Sequence, residues 1–183
     1  MMLEKIETPL EDCFLLKPSV FQDHRGVFLE SYSKSRFEEV TGMRTQFVQD
    51  NQSVSARGVL RGLHFQKGQY AQAKLVRCVY GEILDVVVDL RPESATYLKH
   101  FKVVLNSDNY LQLYVPAGFA HGFLTLSEVS VFAYKCDQYY NKESEGGILY
   151  KDPQLGIDWE FPEDQLVLSE KDAILPILKE LEL

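Results

Sequence analysis

Hydrophobic and polar positions alternate with period two along most of this chain, and Gly, Asn, Asp and Pro break the alternation at short intervals. That is the signature of half-buried strands separated by turns. The pattern predicts strands over Val27–Ser31, Gln46–Asn51, Leu75–Tyr80, Ile83–Leu90, Phe101–Leu105, Gln112–Val115, Gly122–Leu126 and Val129–Cys136. Turn signals fall between them at Asp23-His24-Arg25-Gly26, Arg57-Gly58, Asn106-Ser107-Asp108-Asn109 and Pro116-Ala117-Gly118. Helical periodicity is confined to Ser33–Thr41 and Ile174–Leu183, short enough to decorate a β core. Many short strands with such punctuation imply an all-β sandwich or jelly-roll barrel with a few peripheral helices.

The chain's 183 residues, with no repeat, low-complexity tract or linker, imply one domain over 1–183. Ten Tyr and eleven Phe suit pleated surfaces or an extended subunit interface. The net charge of -8 argues against a nucleic-acid surface, while leaving room for a local basic pocket for a small anion. The first thirty residues lack the apolar core of a signal peptide, and no run is long enough for a membrane helix. The expectation is therefore a cytoplasmic protein without membrane partners. Cys13, Cys78 and Cys136 are odd in number and widely spaced, which suits buried apolar thiols better than a disulfide frame or a zinc site.

Four polar clusters interrupt the apolar strands. In Asp23–Glu30, a turn bearing Arg25 leads into a strand whose alternation sets Phe28, Glu30 and Tyr32 on one face. Read alone, it is a hairpin with an exposed acid. In Phe47–Gln66, Gln49 and Asn51 share a face, Asp50 lies between them, and His64 sits among apolar neighbours with Arg61 close by and Lys74 ten residues on. A lone histidine in such a setting is more often a hydrogen-bonded core residue than a catalyst. Strict alternation puts Arg61 and His64 on opposite faces, whereas a bulge at Gly62 would bring them together. The third cluster, Pro116–Phe123, places His121 just after a tight turn. In the fourth, Tyr134 alternates with Phe132 and Cys136 before a polar stretch containing Glu143 and Glu145.

Taken together, in this order and spacing, the clusters resemble the dTDP-4-dehydrorhamnose 3,5-epimerases. The segments that carry the resemblance are Asp-x-Arg-Gly-x-Phe-x-Glu (23–30), Phe-Val-Gln-Asp-Asn (47–51), Val-Leu-Arg-Gly-Leu-His-Phe-Gln (59–66) and Lys-Leu-Val-Arg (74–77). Pro-x-Gly-x-Ala-His-Gly-Phe (116–123), Ser-Glu-Gly (144–146) and Ser-x-Lys-Asp (169–172) complete the set, which runs from about Phe14 to Pro176. The resemblance implies a cupin-type jelly roll working as a homodimer on a dTDP-linked 4-keto-6-deoxyhexose, with no cofactor. The family's reaction inverts C3 and C5 beside the C4 ketone, on the way to dTDP-L-rhamnose. Metal-binding cupins carry a His-x-His pair where this chain reads His64-Phe65-Gln66, so no metal is expected.

The same resemblance assigns roles. His64 is the base, since a neutral imidazole titrates near working pH, and Asp172 is its orienting carboxylate. Asp172 also reads as the end of a capping box, Ser169-x-x-Asp172. Tyr134 is the proton donor and Lys74 holds the enolate oxygen. Arg25 and Arg61 match diphosphate-binding positions, where a planar guanidinium fork suits phosphate oxygens. Phe28, Glu30, Gln49, Asp50, Asn51, His121, Glu145 and Lys171 match substrate-contacting positions, some of them supplied across a dimer. Two alternatives remain from the residues alone: an epimerase acting at C3 or C5 only, or a non-catalytic sugar-nucleotide-binding cupin.

Overall fold

The computed structural model describes residues 2–181. Thirteen strands dominate: β1 (Leu3–Glu7), β2 (Phe14–Pro18), β3 (Val20–Asp23), β4 (Gly26–Leu29), β5 (Gln49–Ala56), β6 (Leu60–Gln66), β7 (Lys74–Tyr80), β8 (Glu82–Asp89), β9 (His100–Asn106), β10 (Gln112–Val115), β11 (Phe119–Thr125), β12 (Val129–Cys136) and β13 (Glu145–Gly147). Two short helices, α1 (Lys34–Thr41) and α2 (Glu170–Ala173), lie outside the sheets. No helix among the described residues is long and apolar enough to cross a membrane.

The strands form two packed antiparallel sheets and a detached hairpin. The first sheet has the order β1-β2-β10-β7-β12-β5, the second β13-β6-β11-β8-β9, and β3 pairs only with β4. This is a jelly roll, and its layers follow from the side-chain pattern. Val76, Cys78 and Phe132 of the first sheet meet Ile83, Val87, Phe119 and Phe123 of the second in the central core. The outer face of the second sheet, with Leu63, Phe65, Leu84 and Val86, is covered by Ile148, Tyr150, Trp159 and Leu178 from the C-terminal segment. On the outer face of the first sheet, Phe14, Leu16, Leu75 and Tyr114 enclose Phe37 of α1. Strand β8 is apolar on successive residues because both of its faces are covered.

Several expectations shift. Strands β1, β2, β3, β6 and β13 lie outside the predicted set: four are short and carry charges, and β6, which bears Arg61 and His64, breaks its alternation at Gly62. The strand expected at Gln46–Asn51 begins at Gln49 and continues to Ala56. Ile174–Leu183 is not a helix over its described part: α2 ends at Ala173, Pro176 follows, and Leu178–Glu180 forms one 3-10 turn. Glu182 and Leu183 lie outside the described residues. Nor do Phe28, Glu30 and Tyr32 share a strand face, because β4 stops at Leu29. Glu30 instead pairs with Arg36 at 2.8 Å, and Tyr32 packs on Phe37 and Phe47.

Candidate active site

The cleft begins with an irregularity in β6. Its pairing with β11 slips between His121 and Phe123, at the point where Gly62 lies against Gly122. A Cβ on Gly62 would stand 2.6 Å from Gly122 Cα and 2.7 Å from the His121 carbonyl oxygen, and φ there is +117°, so only glycine fits. The slip changes which face each residue takes. Leu60, Leu63 and Phe65 all turn outward into the covered layer, while Arg61 and His64 both turn inward and line one cavity.

That cavity, of about 490 Å³, opens between the inner faces of the two sheets. Strands β6 and β11 contribute Arg61, His64 and His121; β5, β7 and β12 contribute Ser53, Lys74, Phe132 and Tyr134; the segment Val167–Asp172 closes one side. A neighbouring hollow of about 320 Å³ shares His64, Lys74 and Tyr134 and adds Gln49, Asn51, Tyr140 and Glu145. The two form one cleft.

His64 and Asp172 form a tight pair, with Nε2 2.6 Å from Oδ1. The carboxylate side chain is 5% exposed and the imidazole 31%, so the carboxylate is sealed and the ring is reachable. Burial alone pushes the Asp172 carboxyl up. The hydrogen bond and charge of His64, helped by the Gly62 N–H and Ser169, outweigh it and hold the carboxyl below its ordinary range. Ser169 Oγ accepts from the Asp172 N–H at 3.0 Å, so the serine half of the capping box forms while the acid side chain turns to His64.

Lys74 stands beside Cys136 in the β7–β12 register, and its Nζ lies 5.9 Å from the Tyr134 ring centre. Burial pulls its ammonium below the usual lysine range, opposed by its neighbours Cys136, Asp85 and Glu145. Burial pushes the Tyr134 phenol up, so it keeps its proton at neutral pH. The Cys136 thiol, driven by burial to about 11, is no thiolate nucleophile. At the mouth, Glu145 accepts from Tyr140 Oη at 3.1 Å and pairs with Lys171 at 2.6 Å. Gln49 Nε2 donates to Asn51 Oδ1 at 2.9 Å.

One cleft thus brings together His64, Tyr134, Asp172, Lys74, Arg61, His121, Gln49, Asn51, Glu145 and Lys171. Four other positions fall elsewhere. Asp50 points to the opposite face of β5 and pairs with Lys135 at 2.8 Å, as strict alternation between Gln49 and Asn51 requires. Arg25 and Phe28 sit on the detached β3–β4 hairpin, with Arg25 tied to Asp23, and Glu30 is held by Arg36. In and behind the cleft wall stand residues that local pattern passed over. Asp85 left a signal, a lone acid inside the apolar run Ile83–Val88. Tyr140 gave none beyond its place in an aromatic polar stretch. Ser53 lines the cavity, and its Oγ is buried without a hydrogen-bond partner among the described residues.

A jelly roll whose cleft sets an imidazole–carboxylate pair, a buried lysine and a buried phenol around one space defines a class of carbohydrate epimerase. The dTDP-4-dehydrorhamnose 3,5-epimerase family model matches residues 7–180. The chain is 51% identical over 180 residues to the dTDP-4-dehydrorhamnose 3,5-epimerase of Salmonella typhimurium, covering 97% of this chain and 96% of that one. The crystal structure of dTDP-4-dehydrorhamnose 3,5-epimerase from Elizabethkingia anophelis superposes with a TM-score of 0.94 at 53% identity, covering 98% of both chains. The dTDP-6-deoxy-D-glucose-3,5-epimerase of Legionella pneumophila, solved with dTDP-4-keto-L-rhamnose, gives a TM-score of 0.94 at 46% identity, over 98% of this chain and 95% of that one. This chain belongs to the dTDP-4-dehydrorhamnose 3,5-epimerase family.

Proposed function

We propose that this protein converts dTDP-4-dehydro-6-deoxy-D-glucose to dTDP-4-dehydro-L-rhamnose by inverting C3 and C5. The observation that carries the assignment is the placement of His64, backed by Asp172, on one sheet and of Tyr134 and Lys74 on the other, with one cavity between them. The ketone at C4 acidifies the C–H bonds on both sides. His64 takes the proton from C5 or C3, and the bonding pair moves into an enolate whose negative oxygen the Lys74 ammonium stabilises. Tyr134, kept protonated by burial, returns a proton to the carbon from the opposite face. Each centre loses one proton and gains one, so the sugar is neither oxidised nor reduced.

The working unit in this proposal is a homodimer. Val20, Phe21, Val27 and Phe28 of the hairpin are 39%, 49%, 44% and 60% exposed, an apolar arm left uncovered by the described residues. Placed against a second copy, this exposed arm would carry Arg25 and Phe28 to that copy's cleft, Arg25 for the diphosphate and Phe28 as an aromatic wall. Mixing His64→Ala and Arg25→Ala subunits tests this, because a shared site regains activity in the mixed dimer and a single-chain site does not.

The function itself is tested in D2O. Incubation with dTDP-4-keto-6-deoxyglucose should place deuterium at both C3 and C5, read by NMR. Label at one carbon makes the protein a single-position epimerase. Binding without label makes it a non-catalytic sugar-nucleotide receptor.

A further inference from the structure

Behind the cleft wall lies a second imidazole–carboxylate pair that the proposed chemistry does not use, with His121 lining the cavity and Asp85 buried beneath it. Asp85 lies on β8 between Ile83 and Val87, on the face that looks into the sandwich core, and its side chain is fully buried. His121, opposite Val87 on the neighbouring strand β11, sets Nε2 2.9 Å and 3.1 Å from the two carboxylate oxygens. His121 is directly across from His64 in the β6–β11 register. It also stacks on Phe132, the ring that separates it from Tyr134. Both histidines therefore give Nε2 to a sealed acid, and both line the same cavity.

A carboxylate in an apolar layer needs a donor, because leaving it unpaired costs several kcal/mol. His121 is the only hydrogen-bond partner of the Asp85 carboxylate among the described residues. The ring nitrogen facing an ionised carboxylate must carry the hydrogen, so the carboxylate chooses the tautomer. We propose that Asp85 is a positioning residue: it holds the proton of His121 on Nε2 and so presents Nδ1 to the sugar in the cavity. A neutral ring held this way offers an acceptor, and its complement is a sugar hydroxyl. The proposal rests on the epimerase reading only for the identity of the sugar. Asp85 carries a second influence on the cleft, since its negative charge opposes the loss of the Lys74 proton.

The test separates the two readings by working first on the protein without substrate. In wild type labelled with 15N-histidine, two-bond nitrogen–proton correlations should show the His121 proton on Nε2. A proton on Nδ1 alone overturns the proposal whatever the enzyme's activity, and that measurement needs no variant. Asp85→Asn nearly keeps the volume of the side chain but can donate as well as accept, so the Nδ1–H form should become populated. The same variant should raise KM for the dTDP-keto sugar about three- to tenfold, the effect of losing one neutral hydrogen bond, with kcat less affected. On a His121→Ala background Asp85→Asn should add nothing further to KM. A full, additive loss there would mean that Asp85 acts other than through His121, and would overturn the assignment.

Discussion

Replacing Asp172 by Asn is the sharpest perturbation of the His64 pair, because it removes a charge and almost no volume. Two effects add. The first is loss of a charge-assisted hydrogen bond, 2.6 Å long, with its acceptor 5% exposed; such bonds contribute about 1.5–3 kcal/mol, or roughly 10- to 150-fold in rate. The second concerns the tautomer. With Nε2 bonded to the carboxylate, the base nitrogen left to the cavity is Nδ1. An amide that donates to Nε2 puts the proton on Nδ1 and blocks the base. The equivalent change in a Ser-His-Asp triad costs about 10⁴-fold, so the expected loss here is about 10³–10⁴-fold at both C3 and C5. Deuterium wash-in followed by NMR reads it, with the melting temperature as a control for folding. An exchange rate equal to wild type would refute the reasoning, since the base would then work without its carboxylate. The same residue sets a stability signature. Its carboxyl is held below the ordinary 3.8 in the folded state, so its stabilisation is present above that value and is lost as pH falls through the folded-state value. Asp172→Asn should flatten that part of the acid limb.

Three further outcomes follow from the same geometry. Gly62→Ala puts a methyl against the Gly122 and His121 backbone; it should lower the melting temperature and reduce activity together, and an unchanged enzyme would mean the β6–β11 contact is slack. Tyr134→Phe removes the acid but leaves base and cation, so completed epimerisation should fall more than deuterium wash-in; equal losses would argue against a dedicated acid. Lys74, lowered by burial, should lose its charge at a lower pH than an exposed lysine, so activity falls on the alkaline side below the usual lysine value of 10.5. Lys74→Arg, which stays charged, should move that limb upward in whatever activity remains.

The strands with strong alternation were legible, including the one that carries Tyr134, but β6, which carries Arg61 and His64, was not. Gln112–Val115 and Val129–Cys136 are reproduced residue for residue, and Gln49 and Asn51 do share a face. Alternation failed where a strand is brief, as in β1 and β13, and in β6, where the slip at Gly62 breaks the pattern. It also failed on the hairpin, where the pattern ran Phe28, Glu30 and Tyr32 together although the strand ends before Glu30.

The sequence by itself determined an all-β fold and the family's motifs, since residue types and spacings survive without coordinates. It also marked Gly62 as the one place where Arg61 and His64 might be reconciled. What only the tertiary structure decided is which polar residues meet. His64 and Asp172 are 108 positions apart, and their contact depends on how the C-terminal segment folds over β6. Asp85 and His121 meet through strand register, while Asp50, Arg25, Phe28 and Glu30 are carried away from the cleft of their own chain by the direction of β5 and by the detached arm. Spacing along a strand dictates which face a residue takes. Packing between sheets dictates what stands opposite it.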